Sequence, residues 1–248
     1  MDSLNAVYSE AIKANDISKQ LFAAEAVKTV KLVDIFMREY DVVVTNPPYM
    51  SKNGYDKNLN EFLKTNYKGY DLNLYCPFID RIIDFTKEGG YCGAITLDSF
   101  MFLSSYEKIR TRILEDTTIC KLAHLGPKAF DDISGEKVST AMFILSKLNN
   151  KDSSRSIFYR LDDISNSMDK KTALYNEKRK YICDTNIFKE INGYPFIYWI
   201  KDEIADLLVN GEKISKYISV KTGMNTGDNA KFLKFSWEIS NTSNRYKN

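Results

Sequence analysis

Apolar residues recur at three- and four-residue intervals through LFAAEAVKTVKLVDIFMREY. Ala23, Ala26, Val30, Val33 and Met37 share one stripe, which predicts a helix over residues 3–39. The period then breaks. In YDVVVTNPPY the β-branched run Val42 to Val44 is too short for a helix and apolar at every position, the pattern of a strand buried on both faces of a parallel sheet. It stops at Asn46-Pro47-Pro48, where two prolines remove backbone donors and end ladder pairing.

Residues 50–70 are polar, rich in Asn and Lys, and weakly patterned; they predict a mobile loop with a short helix near Leu59 to Leu63. Leu72, Tyr75, Ile79, Ile82 and Phe85 form a helical stripe closed by Gly89-Gly90, and YCGAITL (91–97) is a second buried strand. Ser104 with Glu107 fits a capping box before a helix bearing Tyr106, Ile109 and Ile113. Residues 118–125 and 138–146 follow as strands, separated by a loop containing Ser134-Gly135. Alternation of strands and helices implies an α/β sheet, mostly parallel, whose last two strands lack an intervening helix and form an antiparallel edge.

From about residue 150 the texture changes to a polar stretch with Lys170, Lys171, Lys178, Arg179 and Lys180 close together, then a helix over 196–211 stopped by Gly211. A boundary is therefore expected near residues 149–154, dividing the chain into 1–150 and 151–248. Charge divides the same way: the first part carries a net −2 and the second +4, within a total of +2. The overall balance argues against a polybasic nucleic-acid glove, although the basic excess of the second part could follow phosphates.

The 248 residues, 44% hydrophobic and 27% charged, have the composition of a soluble globular protein. No apolar run reaches membrane-spanning length, and the N-terminal residues lack the pattern of a signal peptide. Cys76, Cys92, Cys120 and Cys183 stand alone and His124 is the single histidine, so a zinc ribbon, a disulfide framework and Ser-His or Cys-His catalysis are all disfavoured. No metal is expected, the cysteines read as small buried apolar residues, His124 is assigned no role, and a reduced, cytoplasmic setting is expected.

The sharpest chemical signal is Asn46-Pro47-Pro48-Tyr49 at a strand's carboxyl end, where open α/β sheets bind ligands. The Asn46 side-chain oxygen can accept one N–H of an exocyclic amine, and the Pro47 carbonyl, held by rigid neighbours, can accept the other. Tyr49 adds an aromatic face for a planar base, a contact of about 1–3 kcal/mol. Accepting both protons steers the nitrogen lone pair towards an electrophile. The same four residues would also make an ordinary strand-ending turn.

YDVVVTNPPY resembles motif IV of S-adenosylmethionine-dependent amino-methyltransferases. GYDLNLYCPFIDR, GGYCGAITLDSFMFLSSYEKIR, HLGPKAFDDISGEKVSTAMFIL and GMNTGDNAKFLKFSWEI extend the likeness to the adenine-N6 DNA methyltransferases of type IIG restriction–modification systems and the PglX methyltransferases of BREX phage defence, over most of residues 30–240. The resemblance implies a partial Rossmann-like class I methyltransferase sheet in 1–150, the catalytic half of the domain from motif IV onward. A linker and the start of a smaller α+β DNA target-recognition region would follow in 151–248.

It further implies that Asn46, Pro47, Pro48 and Tyr49 grip an adenine flipped out of duplex DNA, and that Asp71, Leu72 and Phe78 lie beside S-adenosyl-L-methionine. Residues 97–102 would form a loop near the base. Lys170, Lys171, Lys178, Arg179, Lys221, Asn229 and Lys231 would approach DNA, and defence-system subunits are possible partners. One departure stands out: no Gly-x-Gly occurs, and the eleven glycines begin only at Gly54, after motif IV. The turn that would admit the cofactor is therefore missing, and a fragment with incomplete cofactor binding is expected. Two other readings stay open: a protein-glutamine methyltransferase, whose amide nitrogen needs the same grip, and a non-enzymatic DNA-binding piece.

Overall fold

A computed structural model describes residues 17–130, 138–147 and 155–219, together with Gly227, Lys231 and Leu233. Helix α1 (Ile17–Met37) leads into β1 (Tyr40–Thr45). Then come α2 (Lys57–Asn66), α3 (Tyr75–Phe85), β2 (Thr86–Leu97), α4 (Glu107–Asp116), β3 (Thr118–Pro127) and β4 (Ser139–Ser146). The remainder comprises β5 (Arg155–Arg160), α5 (Ser167–Ala173), β6 (Lys180–Asp184), α6 (Asn186–Glu190) and α7 (Asp202–Asn210). Among the described residues no helix is long and apolar enough to cross a membrane.

The strands form one mixed sheet in the order β1-β2-β4-β3-β5-β6. The α/β class stands, but the balance of pairings is corrected: β1–β2 and β3–β5 are parallel, whereas β2–β4, β3–β4 and β5–β6 are antiparallel. The antiparallel strand β4 is not an edge either; it inserts between β2 and β3. With β4 reversed, β1, β2 and β3 all end on the same rim. The change of texture near residue 150 does not end the sheet, since β5 and β6 extend it. Compactness divides the chain into residues 1–209 and 210–248.

One face of the sheet carries the main core. Tyr75, Cys76, Ile79, Ile82 and Ile83 of α3 and Ile109, Ile113 and Leu114 of α4 pack with Cys92, Ala94, Ile119, Leu122, Phe143 and Leu145. The opposite face is covered at its far end, where Leu161, Ala173 and Leu174 meet Ala123 and Leu125. Around β1 it is open: Val42 and Val44 are 62% and 75% exposed, and Tyr91 and Ile144 are exposed beside them. The uniformly apolar run of β1 is therefore not buried on both faces; β1 is an edge strand with one bare side. The stripe of α1 is corrected in the same way, because Val33 and Met37 are exposed. An apolar edge of this kind invites pairing with another chain. We expect Val44→Lys to weaken concentration-dependent self-association of this 248-residue chain, read by analytical ultracentrifugation, while changing stability by less than about 0.5 kcal/mol.

Three local expectations change. Residues 50–74 form a closed loop: Lys52 N–H donates to Leu72 O at 3.0 Å, Leu74 N–H donates to Met50 O at 2.9 Å, and Asp56 caps α2 through Leu59 N–H. Ser104 opens a 3-10 turn instead of a capping box, and Tyr106 precedes α4 with no side-chain cap. The predicted helix over 196–211 begins only at Asp202, because Pro195 and the burial of Phe196 and Tyr198 hold the preceding residues irregular. The expected Ser134-Gly135 loop lies outside the described residues. In the second unit Ile214–Lys216 form a 3-10 turn and Lys216 pairs with Glu212 at 2.5 Å.

Candidate active site at the carboxyl rim of the sheet

The rim where β1, β2 and β3 end gathers the chemistry. Asn46 follows β1 and is exposed, Pro47 is buried, Pro48 is exposed and Tyr49 is half-buried. The Tyr49 hydroxyl donates to Ile95 O of β2 at 3.1 Å and lies 3.4 Å from Asn46 Oδ1. Its ring meets Tyr75 edge-on at 6.5 Å, and burial pushes its phenol pKa up, so it remains a protonated donor. The diproline corner is thus tied to β2 from below while the Asn46 amide stays reachable. Beneath it lies an open hollow of about 420 Å³ lined by Val44, Asn46, Gly93, Ile95, Met142 and Ile144, among others.

The strip Asp71–Phe78 runs beside the corner through the Lys52 and Leu74 backbone bonds. Leu72 and Phe78 are 41% and 38% exposed. Asp71 is engaged: Lys52 Nζ lies 2.9 Å away, and Gly69 N–H points to its other oxygen at 3.4 Å. Despite partial desolvation, these donors hold its carboxyl below the usual range. Asn73, which the sequence did not single out, has its Oδ1 buried without a hydrogen-bond partner among the described residues. Tested against S-adenosylmethionine, the strip offers one spare acceptor and two apolar side chains but no glycine-rich cradle. The fit is partial.

The basic run behaves differently from expectation. Lys170 is buried at 3% exposure; its Nζ donates to Leu161 O at 2.8 Å and also to Leu125 O, and desolvation lowers its pKa. It is an internal strut joining α5 to the end of β3, so a direct DNA contact by Lys170 is corrected. Arg179 is paired with both oxygens of Asp163 at 2.6 and 2.7 Å. Lys171, Lys178 and Lys231 are exposed, whereas Lys221 and Asn229 lie outside the described residues. We expect Lys170→Met to cost about 2 kcal/mol by removing two buried hydrogen bonds from a charged donor and to leave the salt dependence of any DNA binding unaltered. Lys171→Gln should do the reverse, seen by chemical denaturation beside a salt titration. Cys76 and Cys92 are buried, as expected of all four thiols, but Cys120 and Cys183 are only half-buried.

Comparison with known proteins adds the context for this rim. The sequence model of the family described as Eco57I restriction-modification methylase matches residues 3–130. Adenine-specific methyltransferase BrxX of Escherichia coli O9:H4 (strain HS) is 36% identical over 197 residues, covering 79% of this chain and 16% of that protein. Adenine-specific methyltransferase PglX of Lacticaseibacillus casei (strain Zhang) is 34% identical over 206 residues, 80% of this chain and 17% of that protein. The chain thus spans about a sixth of the length of the curated relatives it matches. Among solved structures, a nuclease-deletion mutant of the Type ISP restriction-modification enzyme LlaGI superposes with a TM-score of 0.52 at 15% identity, over 78% of this chain and 21% of that one. At that identity it supports the fold alone. With the family's match running over more than half of its residues, this chain belongs to the Eco57I restriction-modification methylases.

Proposed function

We propose that residues 1–150 hold the acceptor base in an adenine-N6 DNA methyltransferase, and that 151–248 lead into a region that reads DNA. The observation that carries this reading is the exposed Asn46 amide on a rigid diproline corner at the end of a strand. The relatives BrxX and PglX are both described as adenine-specific methyltransferases, and the LlaGI structure contains a DNA substrate mimic. In the proposed complex an adenine leaves the stack, because N6 within a paired duplex cannot line up with a methyl donor. Its two amino protons are donated to Asn46 Oδ1 and Pro47 O, and its ring lies against Tyr49. As N6 forms its new bond it gains positive charge, and the two oxygens, already oriented, stabilise that charge without reorganising. The extra proton then passes from N6 to water.

S-adenosyl-L-methionine would supply the electrophilic methyl. Asp71, Leu72 and Phe78 would lie beside it, and the unpartnered Asn73 Oδ1 would add a further acceptor. On the DNA side, Lys171 and Lys178 of the first unit and Lys231 of the second are candidates for phosphate contact, and the sequence adds Lys221 and Asn229 as candidates. Subunits of a defence system are possible further partners, and the cytoplasm is the proposed setting.

The reading is tested by giving the full-length natural protein labelled methyl donor together with duplex DNA or protein acceptors, then hydrolysing the products. Label in N6-methyladenine is expected. Label confined to a glutamine side chain would replace this reading with the protein-methyltransferase one.

A further inference from the structure

His124 has no part in the chemistry above, yet both its ring nitrogens are engaged. Nε2 lies 3.0 Å from Asp98 Oδ2, Nδ1 lies 3.3 Å from the Tyr198 hydroxyl, and the Ser139 hydroxyl donates to the same Asp98 oxygen. The carboxylate can only accept, so Nε2–H donates to Asp98, and the Tyr198 hydroxyl bonds Nδ1. The ring is 7% exposed and Tyr198 is 3% exposed, so the chain of bonds is largely shielded from water.

These residues come from four places in the sequence. Asp98 is the first residue after β2, His124 is on β3, Ser139 opens β4 and Tyr198 belongs to the irregular segment before α7. The turn that Asp98 starts, Asp98–Met101, stands on the same rim as Asn46. It is held at its far end as well: Phe196 N–H donates to Met101 O at 3.0 Å, and the Phe102 ring lies 5.6 Å from His124 and 5.5 Å from Trp199. Filling this volume with apolar side chains would cost less desolvation, so the polar chain is better understood through the geometry it imposes.

We propose that Asp98, His124 and Tyr198 are positioning residues, whose hydrogen bonds fix the turn 98–102 in the arrangement that receives the extrahelical base. This rests on the adenine-methyltransferase reading. The bonds transmit position, and no proton changes hands along them during the reaction.

The test uses the full-length natural protein with two duplexes: one with adenine at the target position for kcat and KM for DNA, and one with 2-aminopurine there for fluorescence, thermal melting being measured in parallel. Asp98→Ala is expected to lower kcat about tenfold or more and to reduce the 2-aminopurine fluorescence gain, with KM for DNA changing less than about threefold. Asp98→Asn keeps an amide oxygen that can accept from both Ser139 and His124, and should recover most of that loss. A lower melting temperature with kcat and fluorescence unchanged would reduce the cluster to packing and overturn the proposal. Asp98→Asn as impaired as Asp98→Ala would overturn it too, by making the charge, and not the bonding geometry, decisive. If Asp98→Ala does not fold, Tyr198→Phe removes one hydroxyl alone: a smaller fluorescence gain supports the proposal and an unchanged gain overturns it. An Asn46→Ala protein that still methylates adenine sinks the underlying reading; an inactive one beside unaffected Asp98 and Tyr198 variants sinks this proposal alone.

Discussion

Replacing Asn46 with alanine should lower methyl transfer by the full-length protein about 10²–10³-fold, the cost of removing one preorganised group that stabilises developing charge. The loss should fall on kcat, because the oxygen is needed most when N6 becomes positive. DNA affinity should stay within about threefold, since phosphate contacts dominate it and Asn46 makes none in the proposed complex. Asn46→Asp keeps an acceptor oxygen at a similar reach and should recover part of the loss. The corner should survive these changes: Asn46 is exposed, while the Tyr49 bond to Ile95 O and the buried Pro47 hold the backbone. Steady-state kinetics with a binding titration check the result, and parallel losses of kcat and affinity would point to a structural role.

Arg110→Met should produce the largest loss of stability. Arg110 is 1% exposed, and its guanidinium bonds carbonyls alone: Gly193 O through Nε and Nη2, and Phe100 O and Leu103 O through Nη1 at 2.7 Å each. Burial pulls its pKa down, with Glu107 opposing that shift. Methionine fills a similar volume but takes their donor from Phe100 O and Gly193 O, while Leu103 O keeps the Tyr106 N–H at 3.0 Å. At about 1–3 kcal/mol for each unsatisfied group, the loss is at least about 2 kcal/mol, a large share of the 5–15 kcal/mol typical of a domain. For a chain of this size that is roughly 4–8 °C in Tm. Lysine should rescue little, because one ammonium cannot reproduce a planar fork reaching carbonyls of two segments. Thermal melting decides, and a shift under about 2 °C would show that water replaces the lost donors.

Arg110 also shows what was hard to see in the sequence. As one of several charged residues in EKIRTRILED it looks like part of a solvated helix face, and its partners lie near residues 100 and 193. Local patterns do not encode such distant pairings. For the same reason the polar stretch after residue 150 concealed β5 and β6, in which Phe158 is buried among charged neighbours. Strands β3 and β4 were legible because β-branched and aromatic residues cluster between turn signals, yet their antiparallel placement inside the sheet was not. The burial of β1 was misjudged because an apolar run reports what a strand can bury, and not whether a neighbour is there to cover it.

The candidate site was more legible than its surroundings. Asn46 to Tyr49 declared itself through the abrupt change from β-branched residues to prolines, and the structure places these residues on the sheet rim. His124 and Asp98, 26 positions apart, carried no such signal until the fold brought them together. Lys170 misled for the opposite reason, since the lysine-rich run gave no sign that one member turns inward.

The most direct measurement is a structure of the full-length protein bound to a duplex containing its methylated site. The account predicts an extrahelical adenine with N6 within hydrogen-bonding distance of both Asn46 Oδ1 and Pro47 O, and its ring against Tyr49. A target base seated elsewhere, or an adenine still stacked and paired while the protein is poised for transfer, would contradict it.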